Sequence, residues 1–235
     1  MKKLPVLKSL AFFGAMILLV FACSFTLQKD DSPKANDKNI AADDYQSVII
    51  GSQEWMTENL NVDVFRNGDP IPEAKTASEW RKAGDDRKPA WCYYDHNKSN
   101  ENTYGKLYNW YAVNDQRGLA PKGWHVPSDK EWTVLTEYLG GKELCGTKMK
   151  NSSGWNDYEG KYGNGTNESG FSGFPGGLCN GDGNFYFVGN NCYWWSSSED
   201  ITGFAMFNSL SYDYGGVFRS IYGKYFGLSI RCLRD

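Results

Sequence analysis

The sequence predicts a loop-rich α+β domain over residues 45–235, with two or three helices packed on small antiparallel sheets. Three observations predict it. Capped amphipathic runs lie in the first half of the domain, whereas β-prone runs crowd the part after Tyr193, the order expected of segregated helices and strands. Glycine is abundant, 26 residues, and so are rings, with 9 Trp, 15 Tyr and 13 Phe. That combination suits long ordered loops pinned by large aromatic anchors better than a helical bundle.

The domain is preceded by two segments of other character. Lys2, Lys3 and Lys8 make a basic start, and an apolar or small-residue run follows from Leu10 to Ala22. As a helix that run would reach only about 20 Å, short of the roughly 30 Å hydrocarbon core of a bilayer, so it reads as the apolar region of a signal peptide, residues 1–22. It ends at Val20-Phe21-Ala22-Cys23, which resembles the lipobox where bacterial lipoproteins are cleaved and acylated. Lipidation is therefore expected at Cys23, with the membrane as a partner through that lipid. Ser24 stands where an aspartate marks inner-membrane retention in many such proteins, so the expected address is the outer membrane. Residues 23–44 are polar and too poor in apolar side chains to bury a core, and read as a flexible tether.

The elements follow in order. Val48-Ile49-Ile50 and Gln53-Glu54-Trp55-Met56 flank Gly51-Ser52 and predict a hairpin. Thr76-Ala77-Ser78-Glu79 has capping spacing and predicts a short helix ending near Gly84. Trp91 to Tyr94 predicts a strand. Leu107, Trp110 and Tyr111 fall at i, i+3, i+4 before Gly118 and predict an amphipathic helix. Ser128 to Glu131 is a second capping box, followed by Trp132, Leu135, Tyr138 and Leu139 on one face until Gly140-Gly141. Residues 151–177 are glycine-rich and polar and predict loops. Phe185 to Val188, Tyr193 to Ser197, Phe204 to Leu210, Val217 to Ser220 and Gly227 to Leu233 predict strands. In the last, Leu228, Ile230 and Cys232 share one face and Ser229 and Arg231 the other.

Composition narrows the function. Removing residues 1–22 takes three lysines away and moves the formal charge from −3 to −6. A mildly acidic domain is a poor partner for nucleic acid. Neither a nucleophile elbow, nor a zinc-protease helix motif, nor a phosphate-binding loop is present, and no metal or cofactor is expected. Trp155-Asn156-Asp157 spells a triplet used by calcium-dependent lectins but lies ahead of the glycine-rich loops without a partner motif, and Asn180-Gly181-Asp182-Gly183-Asn184 reads as a turn rather than a calcium loop. His125, between Trp124 and Val126-Pro127, is read as structural. No feature specifies an oligomeric state.

Several blocks, in order, share one pattern. They are residues 49–60 (Ile-Ile-Gly-Ser-Gln-Glu-Trp-Met-Thr-Glu-Asn-Leu), 104–113 (Tyr-Gly-Lys-Leu-Tyr-Asn-Trp-Tyr-Ala-Val), and Gly123-Trp124-His125-Val126-Pro127-Ser128-Asp129 with Glu131-Trp132. Later come Gly170-Phe171-Ser172, Pro175-Gly176-Gly177, Tyr193-Trp194-Trp195-Ser196-Ser197-Ser198-Glu199 and the final block from Ser229 to Asp235. Together they resemble the Fibrobacter succinogenes major paralogous domain family. The resemblance implies a C-type lectin-like fold, as in formylglycine-generating enzymes, carried on surface lipoproteins. It also places cysteine where Cys92 and Cys232 stand, implying a bond between an early strand and the last one. Cys179 and Cys192 flank the expected strand at Phe185 and form a second candidate pair in an exported protein, which leaves Cys145 free.

The function expected is a non-catalytic binding or adhesion module for glycans or other surface polymers. Aromatic faces pack on the C–H surfaces of sugars while Tyr and Trp offer a polar edge. Trp155, Tyr158, Tyr162, Tyr186, Tyr193, Tyr212, Tyr214 and Tyr222 fall in or near loops and turns and are the ligand candidates. Trp55, Trp110, Trp132, Trp194 and Trp195 lie in regular elements and are expected in the core. The alternatives are a copper oxidase like the formylglycine-generating enzymes, since thiolates suit Cu(I), and a structural component of the envelope.

Overall fold

A computed structural model describes residues 45–161 and 163–235. The expected signal peptide, Cys23, the tether and Tyr162 lie outside the described residues. Among those described, the strands are β1 (Ser47–Ile50), β2 (Gln53–Met56), β3 (Trp91–Cys92), β4 (Leu107–Tyr108), β5 (Trp124–His125), β6 (Gly176–Cys179), β7 (Phe185–Val188), β8 (Asn191–Ile201), β9 (Phe204–Ser211), β10 (Phe218–Gly223) and β11 (Leu233–Arg234). The helices are α1 (Ala77–Asp85), α2 (Glu101–Tyr104), α3 (Trp110–Val113), α4 (Asp129–Tyr138) and α5 (Cys145–Met149). The α+β class is as predicted.

Two larger sheets carry the architecture. One runs β1-β2-β11-β5, so the early hairpin is closed by the last strand; the other runs β10-β9-β8-β6-β7, and β3 pairs with β4. All pairings between strands are antiparallel except β6 with β8, where Gly177 faces Cys192. No described helix is long and apolar enough to cross a membrane.

The capping signals act as written. The Thr76 hydroxyl accepts from the Glu79 amide at the start of α1, and Ser128 and Glu131 form a reciprocal capping box at the start of α4. Trp132 and Leu135 are buried, but Tyr138 turns outward and is 66% exposed. The helix predicted from Leu107 is corrected. Asn109 caps only α3, its Oδ1 accepting from the amides of Ala112 and Ala90, while Leu107 and Tyr108 pair with Cys92, Trp91 and Leu228. Tertiary pairing overrides the local period there. The predicted strand from Gly227 is also corrected. It makes single bridges, Gly227 with Cys179, Leu228 with Tyr108 and Ser229 with Trp194, before β11. Both faces of it are buried, Ser229 and Arg231 at 1% included.

The core is built from rings, as expected, with Trp55, Trp110, Trp132, Trp194 and Trp195 all at most 2% exposed. Trp55, Trp132, Phe171 and Trp194 meet with centroids 4.8–6.0 Å apart. It also holds three cations that meet carbonyls and ring faces. Lys106 Nζ donates to Asn61 O and lies 4.4 Å over Trp91. Lys150 Nζ donates to the carbonyls of Ser211 and Tyr214, 5.3 Å over Trp155. Arg231 donates to the carbonyls of Met56, Phe171 and Ser172 and to Asn59 Oδ1, with its guanidinium 4.4 Å from Phe171 and 5.6 Å from Trp194. Burial lowers the proton affinity of all three, Arg231 to about 9, so at neutral pH Arg231 is a buried cation.

The signature blocks supply this frame. Asn59 accepts from both Arg231 and the Trp194 indole and donates to Tyr104 O, joining four of the blocks. His125 bridges Asp235 (2.8 Å) and Glu131 (3.0 Å), in keeping with a structural role. Burial pushes the Glu131 carboxyl up, but the Ser128 amide and hydroxyl and His125 outweigh it and hold the carboxyl below its ordinary range.

Both expected disulfides are corrected. All five described cysteines are free and buried. Cys232 lies in the largest core cluster and Cys192 in a second, whereas Cys92 and Cys179 share a third with Ala74, Trp80, Ala90 and Leu107. Neither Cys92 with Cys232 nor Cys179 with Cys192 is brought together. Spacing along the chain does not determine which cysteines meet in the fold.

Candidate functional site

The aromatic candidates separate into different environments. Trp155 is 5% exposed and donates its indole N–H to Gly173 O, so it is core. Tyr193 is 7% exposed, and burial pushes its phenol up. Tyr222 is stacked on both sides, with Phe207 at 4.3 Å and 9° and Phe226 at 4.6 Å and 4°. A ring sandwiched in this way has no free face for a sugar. These three are corrected from ligand candidates to packing residues. Tyr158 meets Tyr212 edge-on at 5.3 Å, and Tyr212 packs against the core cluster that holds Trp155. The Tyr214 hydroxyl is hydrogen-bonded to Glu143 and its ring packs on Phe218. Tyr186, 44% exposed, is the candidate that lines a pocket.

That pocket, about 610 Å³, lies between three pieces of chain: Ala77 at the start of α1, the segment Tyr94-Asp95-His96, and the β6–β7 hairpin. The hairpin turn is set by Asn180, whose Oδ1 accepts from the amides of Asp182 and Asn184, so the alternating Asn-Gly-Asp-Gly-Asn run is a turn as predicted. Gly183 has φ +81°, and a Cβ there would come within 2.7 Å of the Cβ of Ala77. Only glycine lets the turn press against α1 in this way. Arg81 and Asp182 pair at 3.0 Å across the same contact. Opposite, Tyr94 packs on Phe185 at 5.2 Å, and burial raises its phenol above its ordinary range against the opposing effect of the Val188 backbone.

The lining combines rings with polar atoms. Tyr94, His96, Phe185 and Tyr186 supply ring surface, and Asp95 and Asn184 supply hydrogen-bonding groups. His96 packs edge-on against Phe185 at 4.9 Å with Nδ1 on Ala74 O (3.1 Å), while its buried Nε2 has no hydrogen-bond partner among the described residues. The walls carry backbone that L-residues rarely adopt: Asp95 at φ 55°, His96 at 51° and Phe187 at 67°. Such conformations cost on the order of 1–3 kcal/mol each and tend to gather at ligand sites. Tyr94, Asp95, His96, Phe185 and Asn184 were not among the candidates from sequence. The readable signal was two tyrosines, an acid and a histidine leading into a polar loop, Tyr93 to Asn100.

A second pocket of about 460 Å³ is lined by Arg87, Trp110, Tyr111, Asp115, Arg117 and Lys224 among others. Most of its charge is already engaged, Arg117 by Asp115 at 2.8 Å and Lys224 by Glu199 at 2.5 Å. Neither pocket is lined by cysteine. Asn156, in the Trp-Asn-Asp triplet, donates to Asn190 Oδ1 (2.7 Å) and its amide to Gly189 O, tying two loops together. No group of three or more His, Cys, Asp or Glu among the described residues is arranged to hold a metal ion.

No curated protein and no solved structure matches the chain. The sequence model of one family, the Fibrobacter succinogenes major domain, matches residues 48–234, from β1 to the last strand. With the blocks of that pattern forming one hydrogen-bonded frame, the chain belongs to the Fibrobacter succinogenes major domain family.

Proposed function

We propose that the domain is a non-catalytic module that binds glycans or other surface polymers, and that the ligand sits in the pocket between α1, residues 94–96 and the β6–β7 hairpin. The observation that carries the reading is that pocket's lining, half-exposed Tyr186 with Tyr94 and Phe185 beside Asp95, His96 and Asn184. Sugars offer apolar C–H faces and hydroxyl edges together, and a site for them needs rings and hydrogen-bonding groups side by side. The wider setting we infer is a C-type lectin-like domain on an outer-membrane lipoprotein anchored through Cys23, displayed at the cell surface. Its mild acidity and its loops held by aromatic anchors accord with binding outside the cell.

The test is a glycan-array screen of the soluble domain, residues 45–235, with Tyr186→Ala and Asp95→Asn beside it. Binding that either change reduces at least tenfold supports the site. Binding that survives both moves the ligand elsewhere. No binding to any glycan, together with unchanged cell adhesion on deletion of the protein, overturns the reading.

A further inference from the structure

Two of the buried thiols share one small cluster. Cys92 and Cys179 are both 0% exposed and lie in it together, and burial, followed by the neighbouring Cys179 side chain, raises the Cys92 thiol above its ordinary range. Cys92 pairs with Leu107, Tyr108 with Leu228, and Gly227 with Cys179, so one run of short pairings links the two segments that carry these cysteines. Gly227 makes the room. A Cβ there would lie 3.0 Å from the Cβ of Cys179 and 2.8 Å from the Trp80 ring. The other described thiols sit in other clusters, Cys145 and Cys192 in one and Cys232 in another.

We propose that Cys92 and Cys179 form a disulfide when the protein folds in an oxidising compartment, tying together the two walls of the aromatic pocket at their base. Cys92 is followed directly by Tyr93 to His96, and Cys179 opens directly into the hairpin that carries Phe185 and Tyr186. The bond would fix the distance between the segments whose rings line the pocket. The inference rests on export, and not on what the pocket binds.

The co-reactant is a disulfide, R–S–S–R, of a small molecule or an oxidoreductase. One cysteine thiolate attacks it, forming a mixed disulfide as the first RS⁻ leaves; the second cysteine attacks the protein sulfur and displaces the second RS⁻. Both cysteines are oxidised, R–S–S–R is reduced to two R–SH, and the two cysteine protons end on those products. In the folded chain both sulfurs are out of reach of an attacking disulfide, and burial raises the Cys92 thiol well above its ordinary range. The bond therefore forms as the hairpin closes and not afterward.

The test uses the full chain, folded from denaturant in a detergent buffer containing reduced and oxidised glutathione, acid-quenched, and alkylated under denaturation. Digestion must cut after aromatic residues as well as after Lys and Arg, because Cys179 and Cys192 otherwise share the fragment between Lys161 and Arg219. The expected result is one linked fragment pair containing Cys92 and Cys179, lighter than the reduced fragments by two hydrogens, with Cys145, Cys192 and Cys232 alkylated. In Cys92→Ser the Cys179 thiol should become alkylated and no new link should appear. Alkylation of both Cys92 and Cys179 in the folded wild-type chain, or linkage of either to another cysteine, overturns the proposal. The wild-type measurement decides it even if the serine variant does not fold.

Discussion

Arg231 offers the sharpest test of how the interior is held. Replacing it with alanine leaves the carbonyls of Phe171, Met56 and Ser172 and part of Asn59 Oδ1 without their donor. Each buried acceptor stranded in this way costs about 1–3 kcal/mol, and losing the cation over Phe171 and Trp194 removes roughly 0.5–2 kcal/mol more. Against this stands relief of the burial penalty of the guanidinium, several kcal/mol. The net expected for Arg231→Ala is a loss of about 3–5 kcal/mol, the range for breaking a buried charged network by removing one member. At roughly 2–4 °C per kcal/mol for a domain of this size, Tm should fall on the order of 6–20 °C. Arg231→Met keeps the volume and removes the charge, so it should lose less than the alanine variant. Urea unfolding followed by tryptophan fluorescence measures both. An alanine variant within 1 kcal/mol of wild type, or a methionine variant less stable than alanine, would refute this account of the network.

Three further outcomes are expected. Tyr222→Ala, which empties the space between Phe207 and Phe226, should cost about 3–5 kcal/mol, whereas Tyr186→Ala should stay within about 0.5 kcal/mol of wild type; thermal melts separate the two. Gly183→Ala meets Ala77 and a positive φ together, and should lower stability by about 1–3 kcal/mol while raising amide exchange in the β6–β7 hairpin. Glu131 has a folded pKa below its unfolded one, so its contribution is complete above about pH 4.3 and is lost as pH falls through the folded value. Glu131→Gln should therefore cost about 1 kcal/mol near pH 7, the size of a lost cap, and flatten the acid limb of a stability–pH curve. An unchanged acid limb would place the titrating groups elsewhere.

Local chemistry was legible where it was self-sufficient. Thr76 and Ser128 cap their helices because a hydroxyl and an amide three residues on need no distant partner. The spacing of Leu107 with Trp110 and Tyr111 fits a helical face, yet Leu107 and Tyr108 pair with Cys92, Trp91 and Leu228 from elsewhere along the chain. The same distance hides Arg231. On a period of two it belongs opposite Ile230 and Cys232, and only the fold shows both faces covered. The pocket was partly legible. Tyr186 could be placed on an exposed hairpin, but the meeting of Asp95 and His96 with that hairpin depends on Gly183 against Ala77, a contact with no local signature.

Gly183 and Asn180 mark a division of labour within the chain. Asn59, Arg231, His125 and Glu131 bind to one another and to backbone, and all fall within the signature blocks; Ala77, Asp95, His96, Asn184 and Tyr186, which face the pocket, fall within none. The pocket lining is thus carried on segments outside the shared frame. Shared membership in the family then identifies the frame and not the lining of this pocket.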